Sequence, residues 1–208
     1  MIYFLELPVS LTISAASVDA LIANPSSISG YSASGPIIIT GAITHTQANN
    51  LNGVDATYIQ ATISETTAAN LAAIAVDNST RASLNKFSVV VSDTTLDVSD
   101  FVDAVDQANT ATGDTSAVFT ITAVDTINGG TEANFTALLA DETNNQVSIT
   151  DQALTVDSGT ISVTNANLLA ATTTGTVTAS IDTTERVDTL KTLTETNAYT
   201  IVIPAADA

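Results

Sequence analysis

Gly41–Thr66 reads GAITHTQANNLNGVDATYIQATISET, and Gly159–Thr184 reads GTISVTNANLLAATTTGTVTASIDTT. The second stretch follows the first by 118 positions without a gap, and nine of the 26 positions are identical. Gly41 pairs with Gly159, Ile43 with Ile161, Thr46 with Thr164 and Leu51 with Leu169. Ala48-Asn49 pairs with Ala166-Asn167, and Ala61, Ile63 and Thr66 pair with Ala179, Ile181 and Thr184. With its near flank the long repeat covers about 35–66 and 153–184. Likeness continues outward, from Val18–Ala23 to Phe135–Ala140 and from Asn85–Val91 to Asn197–Ile203. A repeat of this extent sets the architecture before any single residue does.

Inside the long repeat lies a shorter unit, a strand followed by a helix. Ile59, Ala61 and Ile63 alternate with Tyr58, Gln60 and Thr62, the period of a strand with one face inward. Ala68, Leu71, Ala72 and Ile74 then fall on one helical face, with Thr66 and Thr67 as candidate N-caps. Thr176–Leu193 repeats the design: Val177, Ala179 and Ile181 face inward, then Val187, Leu190 and Leu193, with Asp182 and Glu185 spaced like a capping box. Further strands are expected near Leu11, Ile37, Phe87, Val118, Val147 or Leu154, and Tyr199. Short helices are expected near Ser17–Ala23, Gln47–Leu51, Val98–Gln107, Glu132–Ala140 and Asn165–Ala170.

Strand–helix units in series imply parallel strands joined by right-handed crossovers, each unit burying its apolar face on its neighbours. The expected fold is therefore α/β, a right-handed solenoid of strand–helix turns with one parallel sheet, like leucine-rich repeats in geometry but without their consensus. The alternative is an all-β right-handed parallel β-helix. Residues 1–208 are read as a single solenoid segment. The strand at Tyr199–Ile203 lacks the helix that follows its earlier counterpart, so the segment is expected to belong to a longer array or to lean on a neighbour.

Composition narrows the function. The chain has 208 residues, 4 Lys+Arg against 22 Asp+Glu, one His and no Cys, for a formal net charge of -18. Thr, Ala and Ser make up roughly two-fifths of it, far from average usage. Without cysteine there is no disulfide framework and no thiolate site. With so few cations, contacts to nucleic acid phosphates or an anionic membrane are not expected. Aliphatic and β-branched residues still suffice for a core, so disorder is a poor fit. No apolar run approaches the roughly 18 residues of a spanning helix. Met1–Leu7 is apolar but interrupted by Glu6 and has no basic start, so it does not read as a signal peptide. The chain is then cytoplasmic, part of a longer exported protein, or exported without an N-terminal leader.

Candidate chemistry is sparse. His45 is the only imidazole, and Val163 takes its place in the other copy. No GxSxG, HExxH, P-loop or GxGxxG occurs, and Asn128-Gly129-Gly130 reads as a turn. Asp97, Asp100, Asp103 and Asp106 are spaced to line one side of a helix, opposite Val98, Phe101, Val102 and Val105. They are the candidate metal ligands, for calcium, which takes carboxylate oxygens. The strand positions opposite the core are rich in hydroxyls, among them Thr62, Ser88, Thr120, Thr122, Ser148, Thr150, Thr176 and Thr178. Tyr58 and Tyr199 are the aromatic candidates for glycan contact. An Ala-Asn pair recurs at Ala48-Asn49, Ala69-Asn70, Ala133-Asn134 and Ala166-Asn167. Asparagine is a mediocre helix former, so its recurrence points to bonding a neighbouring backbone or capping a helix.

GTISVTNANLLAATTTGTVTASIDTT with the later TNAYTIVIPAADA, and the earlier GAITHTQANNLNGVDATYIQATISETTAANLAAI, resemble the Ala/Thr-rich strand-repeat units of large bacterial surface proteins of marine cyanobacterial type. The resemblance covers roughly residues 35–208. It implies a non-enzymatic structural or adhesive segment of an exported cell-surface or extracellular-matrix protein, with no catalytic residues or cofactor. Its partners would be neighbouring repeats, copies of itself through open solenoid ends, or surface glycans. A self-assembling sheath, surface-layer or phage-fibre subunit is the runner-up, and a carbohydrate-active β-helix enzyme is the third reading.

Overall fold

The computed structural model describes residues 10–65, 70, 73–75, 85–112, 118–182, 184–194 and 197–201. The candidate caps Thr66 and Thr67, the helical positions Ala68, Leu71 and Ala72, and Met1–Leu7 lie outside the described residues. The fold is mixed α/β, built on two parallel sheets of five strands each.

The first sheet holds β1 (Leu11–Ser14), β2 (Ile37–Ile43), β3 (Ile59–Glu65), β4 (Lys86–Val91) and β6 (Phe119–Thr120), in that order. The second holds β5 (Thr95–Asp97), β7 (Thr126–Gly130), β8 (Ala153–Ile161), β9 (Val177–Ile181) and β10 (Ala198–Ile201), again in chain order. Every pairing is parallel, as between Ile63 and Val89 or Val156 and Ala179. Val147 continues the first sheet by a single bridge to Phe119. Six described helices connect the strands: α1 (Val18–Ala23), α2 (His45–Leu51), α3 (Val98–Thr112), α4 (Glu132–Thr143), α5 (Val163–Thr172) and α6 (Val187–Leu190).

One sheet was expected and two are present. The difference arises where one passage of chain serves both: β4 and β5 are separated only by Ser92–Thr94, and β6 and β7 only by Ile121–Asp125. Strands β5 and β7 have no counterpart among the expected elements. Asn128-Gly129-Gly130, expected as a turn, is the end of β7. Gly129 has φ +77 there, and the pairing with β8 shifts register between Ile127 and Gly130. The same glycine that would form a turn forms a β-bulge when its neighbours are held in a ladder. Gly41 and Gly159, at φ +89 and +86, sit at comparable register shifts in β2 and β8.

Inward positions follow the strand period. Ile59, Ala61 and Ile63, and Val177, Ala179 and Ile181, are buried, as are Val98, Phe101, Val102 and Val105 of α3. Side chains from both sheets and from the helices meet in one hydrophobic cluster. Within it the rings of Phe101 and Phe119 meet edge to face, centroids 5.7 Å apart at 89°. Val187 departs from expectation: it is 40% exposed, while Leu190 and Leu193 rest against the core. Asp182 and Glu185 do not form a capping box. The carboxylate of Asp182 accepts from the backbone and hydroxyl of Thr184, and α6 starts later behind Arg186 without a side-chain cap. Glu185 instead reaches back to accept from the Val163 N–H at 3.1 Å.

Three helix starts carry side-chain caps. Thr44 and Gln47 form a capping box on α2, Thr131 and Asn134 form one on α4, and Ser162 caps α5. Side chains also tie successive strand–helix passages together across 20 to 33 residues. Asn49 donates to the Ala73 carbonyl and accepts from the Ala75 N–H, and Asn167 donates to the Thr192 carbonyl. Asn85 accepts from the Ile59 N–H and Asn197 from the Val177 N–H. Two of the recurring Ala-Asn pairs therefore bond a neighbouring backbone, while Asn134 caps its own helix. The alanines beside Asn49 and Asn167 are fully buried, which lets the helix sit close enough for an asparagine to reach across.

Glu132 makes a further tie of this kind. Its carboxylate accepts from the backbone and hydroxyl of Ser162 and from the Asn165 amide, at 2.8 to 2.9 Å. Burial pushes this carboxyl upward, but the three donors outweigh it and hold it below the usual range.

Helix α4 closes with Asn145 in the left-handed region, at φ 60. The Asn145 N–H returns to the Glu142 carbonyl and the Gln146 N–H to the Asp141 carbonyl, the Schellman pattern in which glycine is usual. Asn145→Gly is expected to keep or raise stability by removing the Cβ, whereas Asn145→Ala is expected to lower it by about 1 kcal/mol, because alanine keeps the Cβ and loses the short polar side chain that eases asparagine into that conformation. Urea denaturation of both variants checks this, and equal stabilities would contradict it.

Candidate functional site

Asp97, Asp100, Asp103 and Asp106 are all exposed. Asp97 ends β5 just before α3, and its carboxylate accepts from the backbone and hydroxyl of Ser99 at 2.9 and 2.6 Å. The other three follow along α3. Among the described residues no group of three or more His, Cys, Asp or Glu is placed to hold a metal ion. Three-residue spacing along a helix aligns carboxylates on a side but does not converge them on a point. His45 opens α2 with its Nε2 3.3 Å from the Thr46 hydroxyl.

The hydroxyl-rich face is present where expected. Ser88, Thr120, Thr122, Ser148, Thr150, Thr176 and Thr178 are exposed, and Thr62 stands beside Ser88 in register. Of the two tyrosines, Tyr58 lies under the Lys86 ammonium, 5.1 Å from the ring centroid. Tyr199 turns its hydroxyl to the Ala166 carbonyl at 3.3 Å and rests against the core. Neither forms an open aromatic platform. Among the described residues, no helix is long and apolar enough to cross a membrane.

A feature with no sequence signal is a cleft of about 260 Å³ beside the narrow end of the first sheet. It lies where β6 is only two residues long and Val147 contributes a single bridge. Val118, Phe119, Ile121 and Val147 supply its apolar lining. Thr120, Thr122, Ser148 and Thr150 add hydroxyls, and Glu142 and Asn145 come from the end of α4. Gln152 is buried beneath, accepting from the Thr150 N–H at 2.9 Å. The lining comes from positions some 30 residues apart, which only the stacking of β6 against Val147 brings together.

Asp141, one residue before Glu142, is the other unforeseen group. It is 7% exposed, and its Oδ2 has no hydrogen-bond partner among the described residues. Burial, and secondarily the charge of Asp106 on the neighbouring α3, push its carboxyl up to about 6. In the sequence it is one carboxylate among 22 acids, without a local pattern to set it apart.

Comparison with family models, with curated proteins and with solved structures finds no match to this chain.

Proposed function

We propose that the chain is a non-enzymatic structural or adhesive segment of an exported bacterial surface or matrix protein, its strand–helix passages forming a right-handed solenoid. The observation that carries this reading is the strand order. In both sheets it follows the chain, and every pairing is parallel. Successive right-handed crossovers that always advance to the next position generate such an order, and each passage then depends on its neighbours for burial. The asparagine bonds from α2 and α5 to the following passage act as fasteners between turns. The exposed face is then hydroxyl- and acid-rich, suited to a hydrated setting and to contact with surface glycans.

Localisation tests the reading. Antibody raised against the protein should label intact cells of the source organism, and protease added to those cells should remove the label. Label that appears only after permeabilisation would overturn it. The runner-up, a self-assembling subunit, is favoured by one feature: β1 and β10 each have a strand partner on one side only among the described residues. Such edges template pairing with another chain. Concentration-dependent growth of large species in sedimentation velocity would select that reading over the first.

A further inference from the structure

The geometry points to the cleft beside β6 as a binding site for a primary ammonium group on a short aliphatic stem. Val118, Ile121 and Val147 line it with apolar surface, and Val118 is 46% exposed, so part of that surface stands open to solvent. Among the described residues, the one charged side chain in the lining is the carboxylate of Glu142, and no Lys, Arg or His contributes. Glu142 belongs to the last turn of α4, which carries no basic residue, and Asn145 just beyond the helix lines the cleft as well. The negative end of a 12-residue helix therefore borders the same space, and it favours a cation there. The carbonyls of Leu139, Ala140, Asp141 and Glu142 already accept hydrogen bonds. The helix end thus contributes field and leaves the direct contact to Glu142 and the hydroxyls of Thr120 and Ser148. An anion would be repelled by the Glu142 carboxylate, and a neutral chain would cover that carboxylate without pairing it. An ammonium on an alkyl stem satisfies both surfaces, and the volume accommodates several water-sized groups.

Two sources supply this chemistry, a free alkylamine and a lysine side chain on a partner. Titration of isotope-labelled protein, followed by NMR, separates them using n-butylammonium, Nα-acetyl-lysine amide and, as neutral comparator, n-butanol. The amines should shift the amide signals of Thr120, Thr122, Ser148 and Thr150, and added salt should weaken them. Glu142→Gln should weaken amine binding about three- to fivefold, the size of a partly exposed ion pair, and leave the butanol response alone. Ser148→Leu, which fills the cleft and keeps the carboxylate, should abolish binding. A response to butylammonium alone assigns the site to free amines, and one to the lysine amide assigns it to a partner side chain. Equal binding of butanol and butylammonium, an unchanged affinity in Glu142→Gln, or no binding of either amine would overturn the proposal.

Discussion

Replacing Phe101 by alanine is expected to destabilise the protein by about 3–5 kcal/mol, the usual cost of emptying a buried aromatic site. Phe101 is fully buried on α3, and its ring meets Phe119 of β6 edge to face. That contact fixes the helix following β5 to the narrow end of the first sheet, where β6 offers only two residues of ladder. Phe119 is itself buried, and β6 is paired with β4 on one side and bridged to Val147 on the other, so the cavity has little chance to be closed by rearrangement around it. A typical domain has about 5–15 kcal/mol in total, so the variant should lie near the folding threshold. Chemical denaturation measures the loss. A double-mutant cycle with Phe119→Leu should return a coupling of about 0.5–1.5 kcal/mol for the ring pair. A loss under about 1 kcal/mol for Phe101→Ala would show that α3 does not depend on this contact.

Asp141→Asn is expected to stabilise the protein at pH 8 by about 1–2 kcal/mol and to flatten its pH dependence. The folded carboxyl titrates at about 6, against an ordinary 3.8. Between those values the folded chain holds a proton that the unfolded chain has released. Stability from this group is therefore complete below pH 4, falls as pH rises to 6, and stays low above it. Two pKa units correspond to roughly 3 kcal/mol at full strength, and screening by solvent near the helix end reduces this to about 1–2 kcal/mol. Asparagine is nearly isosteric, removes the buried charge and ends its repulsion with Asp106. Urea melts of both proteins from pH 4 to 8 test this. Parallel pH profiles would mean that Asp141 is not the responsible group.

Much of the local structure was legible in the sequence. The two-residue alternation at Ile59–Ile63 and Val177–Ile181 and the helical stripe at Val98–Val105 marked buried faces, because burial selects side chains by the geometric period of the backbone. The caps at Thr44, Thr131 and Ser162 were not singled out, and the candidates that were, Thr66 and Thr67, lie outside the described residues. The recurring asparagines stood out as poor helix formers with a role, though not which backbone each would reach. Errors came where the same residue serves two geometries. Gly129 could end a strand or bulge it, and Asp182 could start a helix or close a turn. Val187 fell on an apolar stripe, but its helix is four residues long and begins too late to bury it.

Of the candidate site, the hydroxyls of Thr120, Thr122, Ser148 and Thr150 were legible as an outward face, but the cleft they line was not. Glu142 and Asn145 lie at the end of a helix, Thr120 and Thr122 at the end of β6 and just beyond it, and Ser148 and Thr150 open the next passage. No spacing rule relates them, since their proximity depends on parallel stacking of separate passages. Asp141 was equally silent, because its protonation depends on what covers it.

What the sequence alone determined is the element grammar: parallel strands and short helices in alternation, an aliphatic interior, a hydroxyl-rich exterior and scarcely any cations. Those follow from backbone periods and composition, which are local or additive. Only the tertiary structure decided that the strands divide between two sheets, that Glu185 and Glu132 bond across to the neighbouring passage, and that a cleft and a buried carboxyl meet at the end of α4. Those depend on contacts 20 to 33 residues apart, where register and bulges, set by packing, choose the partners.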